Sequence, residues 1–222
     1  MKSDEFIREV DDELKQERLA TLWQRFGALV IGVAVLIVAG TAGYVGWDAW
    51  KSNQRAAESR AYAAAEALAE AGDYNAAADA FLEIAESSGA GIAALARMRA
   101  AAAAAEAGEP AEAVSILESV ASDNGTDSLL REAALLAKVT REFDQASPAT
   151  IIQELEPLTQ PGAPWRLLAR ELTALAMIRQ GDVTDARDIL AGIRDDAEAT
   201  ALQRRRAEEL FTALGGNLES AS

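Results

Sequence analysis

Two pairs of neighbouring carboxylates have the types and spacing that could support hydrolytic chemistry. Asp195 and Asp196 are adjacent, and Asp185 lies three residues before Asp188, on the same face of a helix. Paired carboxylates can act as general acid and general base when their surroundings set their pKa values apart. No partner motif accompanies either pair. Exposed, solvating charge is therefore the favoured interpretation, and a hydrolase is the least favoured functional hypothesis.

The remaining side chains leave few catalytic options. The 222 residues include no histidine and no cysteine, which removes the usual general base, common metal ligands and the Ser-His or Cys-His nucleophile pairs. Disulfides are excluded as well, while the redox compartment stays open. We expect a protein that is not an enzyme and has no cofactor, no metal site and no small-molecule substrate.

A strongly acidic composition limits the partners. The formal net charge is −15, which repels phosphate backbones and anionic lipid surfaces. Arg204, Arg205 and Arg206 form a local basic patch, but Glu208 and Glu209 follow on the same predicted helix. Ion pairing at i,i+4 is the commoner explanation of such a pattern. Nucleic acid is therefore not expected as a partner.

Residues 26–47, FGALVIGVAVLIVAGTAGYVGW, form an uncharged run of 22 residues. As a helix the run would extend about 30 Å, the hydrocarbon thickness of a bilayer. Arg25 and Lys51 bracket it, and aromatic residues that favour membrane interfaces stand at its edges: Trp23, Phe26, Tyr44, Trp47 and Trp50. The run predicts a single transmembrane helix. The Lys/Arg bias favours a cytoplasmic N-terminus only slightly.

Two other interpretations of the run stay open. A cleaved signal peptide would start with a short basic segment, whereas the 25 residues before this run include seven acidic ones; Gly40-Thr41-Ala42 would be an acceptable cleavage site. A buried helix of a soluble domain is seldom uncharged for this long or edged by aromatic residues. The membrane anchor is the favoured interpretation.

The segments around the span have their own patterns. In the acidic tail, residues 1–25, apolar side chains recur at helical spacing, which predicts an amphipathic helix that contacts a partner or is merely solvated. A polar juxtamembrane helix is predicted over residues 48–57.

Within the span, small residues that would let another helix approach form a stripe: Ala28, Gly32, Gly40, Gly43 and Gly46. A lipid-facing stripe that arises by chance is the alternative.

From residue 58 onward the chain predicts a helical repeat. Apolar residues recur at 3–4 spacing, no strand is predicted, and breakers at Gly72, Gly108, Asp144 and Gly181 are 36, 36 and 37 residues apart. A period of this length with helix–turn–helix content is typical of tetratricopeptide-type repeats. We expect an all-α solenoid of about four helical hairpins over residues 58–214, with a last helix as a cap and residues 215–222 as a flexible tail.

The residues after each breaker support this interpretation. Each glycine is expected to end a helix in a left-handed conformation. A small alanine five residues later would permit close helix contact, and a large apolar residue would follow at nine residues. The expected turn and packing residues are Gly72, Tyr74, Ala77, Phe81, Gly108, Ala113, Leu117, Gly181, Ala186 and Leu190. The third unit, with Asp144 and Pro148, is degenerate, but aspartate tolerates the left-handed region better than most residues.

The whole layout resembles the YfgM-like ancillary subunits of the SecYEG translocon. The resemblance covers nearly the entire chain. It rests on the short N-terminal tail, the span ending in GYVGWDAWKSNQ, the polar helix after it, and the final unit LLARELTALAMIRQGDVTDARDILAGI. The longer acidic segment FIREVDDELKQERL departs from the family pattern.

The resemblance implies a single-pass inner-membrane protein of Gram-negative bacteria with a cytoplasmic N-terminus and a periplasmic tetratricopeptide-like domain. It also implies protein partners: translocon subunits, a membrane-anchored periplasmic chaperone and exported clients. The function expected is non-catalytic binding of protein segments on a concave surface, in support of folding and trafficking. The alternative is a cytoplasm-facing scaffold that recruits a soluble complex to the inner membrane.

Overall fold

Helices form the regular structure of the part of the chain that the computed structural model describes, which is Leu36 and residues 39–216. No strand occurs in these residues, so the expected all-α fold is confirmed there. The chain divides into two compact units after Ala57. The predicted tail at residues 1–25, most of the predicted span and residues 217–222 lie outside the described part.

In the first unit, residues 39–57 are helical. Gly40, Gly43 and Gly46 lie on this helix, and an added Cβ at any of them would meet no atom within 4 Å. Ala28 and Gly32 are outside the described residues. Among the described residues, no helix combines the length and the apolar character needed to cross a membrane. The span over residues 26–47 stays a prediction.

The second unit consists of helices that pack in chain order. Its helices are α1 (helical residues 58–70 of this unit), α2 (Tyr74–Ser87), α3 (Ala90–Glu106), α4 (Pro110–Ala121), α5 (Ser128–Glu142), α6 (Pro148–Leu155), α7 (Arg166–Gln180), α8 (Val183–Arg194) and α9 (Ala201–Ala213). A short 3-10 helix, Glu156–Thr159, follows α6. From α2 onward each helix contacts the next. The result is the expected solenoid: four hairpins, α1/α2 to α7/α8, and α9 after them.

The three glycine turns close in the same way. Gly72, Gly108 and Gly181 have φ values of 83°, 87° and 94°. In each turn the glycine N–H donates to the carbonyl three residues back and the next N–H donates to the carbonyl five residues back, over 2.9–3.1 Å. An added Cβ at any of these glycines would meet no atom within 4 Å. The left-handed backbone, rather than a lack of space, therefore requires glycine.

The third turn is built differently. We expected Asp144 to take the left-handed conformation, and this is wrong, because among the described residues only glycines have a positive φ. The Glu142 carbonyl instead accepts from the N–H groups of Gln145 and of the next residue, at 2.9 and 2.8 Å. Pro148 then occupies the start of α6, where its missing N–H has no intrahelical partner to lose.

Arg179 of α7 adds side-chain hydrogen bonds to this third turn. Its guanidinium donates to the Phe143 carbonyl and, at 3.3 Å, to the carbonyls of Asp144 and Ala146. It also lies over the Phe143 ring, 5.2 Å from the centroid. Carbonyls at a helix C-terminus have no partner within the helix. Carbonyls of the turn that follows α5 are thus satisfied by a side chain from another hairpin, 36 residues after Phe143.

The core changes character along the solenoid. The first cluster is mostly alanine, and α3 alone buries seven: Ala93, Ala94, Ala96, Ala100, Ala101, Ala103 and Ala104. Small side chains bring neighbouring helices close together. In the later hairpins, by contrast, larger side chains such as Ile151, Leu155 and Leu190 are almost fully buried. Each of these stabilises the fold by roughly 1.5–3 kcal/mol relative to exposure.

The glycine turns give a stability prediction with a matched control. Gly108→Ala and Gly181→Ala should each destabilise the protein by about 1 kcal/mol, because an added Cβ is penalised at positive φ. Gly91→Ala is the control: Gly91 lies in α3, its φ is not positive, and an added Cβ also meets no atom within 4 Å. This control should be neutral or slightly stabilising. Urea melts followed by circular dichroism would measure the difference, and equal melts for all three variants would contradict the prediction.

Candidate protein-binding surface

The predicted packing residues lie inside the solenoid. Ala77, Ala113 and Ala186 are completely buried. The large apolar residues four positions later are also buried: Phe81, Leu117 and Leu190. Tyr74 is half-buried, and the three turn glycines are exposed at the hairpin ends. These residues position the helices, and the surface available to a partner is made by other side chains.

The odd-numbered helices form one continuous surface. α3 contacts α5, and Trp165, at the start of α7, donates from its indole Nε1 to the Leu129 carbonyl of α5 at 3.4 Å. Arg206 of α9 is hydrogen-bonded to Glu171 of α7. We call the surface of α3, α5, α7 and α9 the odd-helix face.

Exposed apolar side chains concentrate on this face. Within residues 58–216, every large hydrophobic residue that is strongly exposed lies on an odd-numbered helix: Ile92, Leu95, Leu129 and Leu202. Ile92, Leu129, Trp165 and Leu202 also recur at intervals of 37, 36 and 37 residues, each near the start of its helix. This row was not predicted from the sequence, although its repeat spacing was a readable signal.

The helices that form this face also contain most of the basic residues of the domain. α3, α5, α7 and α9 each contain more Lys and Arg than Asp and Glu, although the whole chain has a net charge of −15. α2, α4 and α6 contain acidic residues and no basic one. In α8 the two signs balance. By composition, α3, α5, α7 and α9 are therefore basic relative to the other helices, and internal ion pairs use several of their cations, such as Lys138 and Arg166.

An open groove of about 460 Å³ lies between α5 and α7. Its lining is mainly apolar and consists of Ala133, Leu136, Ala137, Thr140, Arg141, Trp165 and Leu168. Arg141 is exposed, and within residues 39–216 its side chain forms no hydrogen bond or ion pair. Trp165 is half-buried. The lining of the groove thus combines an aromatic ring, aliphatic side chains and a guanidinium that is free to form an ion pair.

A second groove, of about 430 Å³ between α7 and α9, is occupied by internal ion pairs. Arg166 bonds Asp196 at 2.6 Å and Glu198 at 2.7 Å, while Arg206 is bonded to Glu171. These charges neutralise one another. The groove between α5 and α7 is therefore the better candidate for binding a partner.

The carboxylate pairs considered for hydrolysis are used structurally or are exposed. A hydrogen bond from Arg166 lowers the pKa of Asp196, and one from Arg194 lowers the pKa of Asp195. A general acid at neutral pH needs a raised pKa instead. Asp185 and Asp188 are exposed on α8.

The three arginines of the local basic patch have separate partners. Arg205 pairs with Glu209 at i,i+4, over 3.5 Å. Arg204 donates to backbone carbonyls before α9, and Arg206 is bonded to Glu171. The three side chains do not converge on a common anion site.

Lys138 links α5, which forms one side of the groove, to α4 and α6. Its ammonium lies 2.8 Å from Glu118 of α4, 3.7 Å from Glu142 of α5 and 2.9 Å from Glu154 of α6. Burial alone would lower the pKa of Lys138, but hydrogen bonds and charge interactions with Glu118 and Glu154 raise it above its usual range. Lys138 therefore stays charged and links three helices.

Removal of this charge should destabilise the domain. Lys138→Met should lower the free energy of unfolding by about 2 kcal/mol, because charge-assisted hydrogen bonds are lost and acidic side chains are left to repel one another. A raised pKa in the folded state keeps the contribution complete below the unfolded value, so the difference from wild type should be constant between about pH 6 and 9. Arg205→Met, at an exposed pair, is the control and should change stability little. Urea melts that rank the two variants equally would contradict this.

The chain belongs to the tetratricopeptide repeat-like domain family, whose sequence pattern it matches over residues 21–206. Repeats of this kind are protein-binding helical modules and are typically non-catalytic scaffolds. Comparison with curated proteins and with solved structures found no match. The expected tetratricopeptide-like fold is thereby confirmed, and the narrower resemblance to translocon subunits stays a prediction.

Proposed function

We propose that this protein is a membrane-anchored, non-catalytic protein-binding module of the bacterial inner membrane. A single span over residues 26–47 leaves the N-terminus in the cytoplasm and the repeat domain in the periplasm. There the domain acts beside the SecYEG translocon and a membrane-anchored periplasmic chaperone, and it assists the folding and trafficking of exported proteins.

One observation carries the anchor in this proposal, namely the uncharged run with its aromatic edge. At the described end of the run, Trp47 and Trp50 are 59% and 57% exposed, with ring centroids 5.3 Å apart. The Lys51 ammonium lies 5.7 Å from the centre of the Trp47 ring. Indole rings and a lysine that extends past them suit the head-group region of a bilayer. The family match also begins at residue 21, before the run.

A topology reporter tests the anchor and the orientation together. Alkaline phosphatase fused after Ser222 should be active, and green fluorescent protein at the same position should be dark, because the first folds in the periplasm and the second does not. The full-length chain should also resist extraction with alkaline carbonate. The reverse reporter pattern would support the cytoplasm-facing scaffold, and a shortened form beginning near Gly43 would show a cleaved signal instead.

Photo-crosslinking in intact membranes tests the partners. A crosslinking residue in place of Leu129, on the odd-helix face, should capture translocon subunits or a periplasmic chaperone. The same crosslinking residue in place of Glu83, exposed on α2, is the control and should capture less.

Replacing Gly32, Gly40 and Gly43 by Leu should keep the anchor and weaken association through the span, because leucine is apolar but prevents close helix approach. Capture of cytoplasmic enzymes alone would overturn the translocon assignment.

A further inference from the structure

The groove between α5 and α7 has features that select a particular kind of partner segment. Along α5 the lining extends from Ala133 to Arg141, a rise of about 12 Å, which corresponds to about two turns of a helix. Trp165 and Leu168 are partly exposed and offer an apolar contact, whereas Leu136, which is only 4% exposed, lines the groove from the core. A segment that fills the groove must therefore present apolar side chains on successive turns.

The charges around the groove indicate which polar residues the partner segment should have beside its apolar ones. Arg141 stands at one end of the groove without a partner among the described residues, whereas Lys138 and Arg166 on the same two helices are paired with carboxylates of the domain. α2, α4 and α6 are acidic, so a basic segment would be attracted to these helices instead. Complementary charge therefore favours an acidic segment on the odd-helix face.

We propose that the groove between α5 and α7 binds an acidic amphipathic helix of a partner protein, whose apolar side packs on Trp165 and Leu168 and whose carboxylate pairs with Arg141. This inference rests on the proposed protein-binding function and names the chemistry of its ligand. Helix-in-groove binding of this type uses apolar anchors at i, i+3, i+4 and i+7.

Trp165 provides a direct optical test. The other tryptophans are Trp23, Trp47 and Trp50, so the full-length chain with these three changed to Phe reports on the groove alone. The probe is a synthetic 18-residue peptide with Leu at i, i+3, i+4 and i+7 and Glu at its polar positions. In a neutral detergent it should change the Trp165 emission saturably, and added NaCl should weaken binding because the charges are exposed. The same peptide with Lys for Glu should bind at least tenfold more weakly.

Two charge reversals isolate the role of Arg141. Arg141→Glu should reduce affinity for the Glu peptide by about tenfold, and binding of the Lys peptide should improve. Arg205→Glu is the control, because Arg205 is exposed on α9, lies outside the groove, and its reversal makes the same change in net charge. It should alter affinity for the Glu peptide less than about twofold. Ala137→Phe, which fills the groove, should abolish the Trp165 response, while circular dichroism checks that each variant is folded.

Three results would overturn the inference. They are equal binding of the Glu and Lys peptides, equal affinities of the Arg141 and Arg205 variants, and salt-sensitive self-association without peptide, which would make the acidic helices of a second copy the occupant. The titration uses purified protein, so its outcome is independent of the topology reporter. A failed titration with an active periplasmic reporter would reject this ligand alone, and the opposite pair of results would reject the proposed location alone.

Discussion

The architecture depends on the inability of a single helical hairpin to bury its apolar stripe. Each pair of helices has a polar side and an apolar side, and the apolar side leaves water only when the next hairpin packs on it. Fully buried alanines such as Ala77, Ala113 and Ala186 let the helices of a hairpin approach closely. Where larger residues replace them, the helices would be pushed apart and the contact with the next hairpin would be lost.

Because packing uses one side of every helix, the other sides are available for separate purposes. The acidic helices α2, α4 and α6 present a strongly hydrated surface, whereas α3, α5 and α9 combine arginines with exposed apolar residues: Ile92, Leu95, Leu129 and Leu202. Exposed leucines offer no stability to the solenoid itself, and in water they are a liability unless a partner covers them. The two sets of helices thus differ both in their charge and in the exposure of their apolar side chains.

Much of the fold could be predicted from the sequence, because the signals are local. A glycine that follows an amphipathic run, with alanine five residues later, is enough to place the turns at Gly72, Gly108 and Gly181. The turn after α5 could not be predicted in the same way, since its carbonyls are satisfied by Arg179 from another hairpin. The groove was missed for a similar reason: the exposure of Arg141 and the position of Trp165 depend on how α5 and α7 pack, and no local pattern specifies that.

The contact between Arg179 and the turn after α5 also couples the third hairpin to the fourth. The turns at Gly72 and Gly108 close with hydrogen bonds from their own backbone, so each can form as soon as its hairpin has been synthesised. The turn after α5 lacks its guanidinium partner until α7 exists. Loss of the fourth hairpin would therefore return the carbonyls of Phe143, Asp144 and Ala146 to water, although the backbone hydrogen bonds to Glu142 would remain. The stability of the third turn is consequently tied to that of the hairpin after it, whereas the turns at Gly72 and Gly108 depend on their own backbone alone.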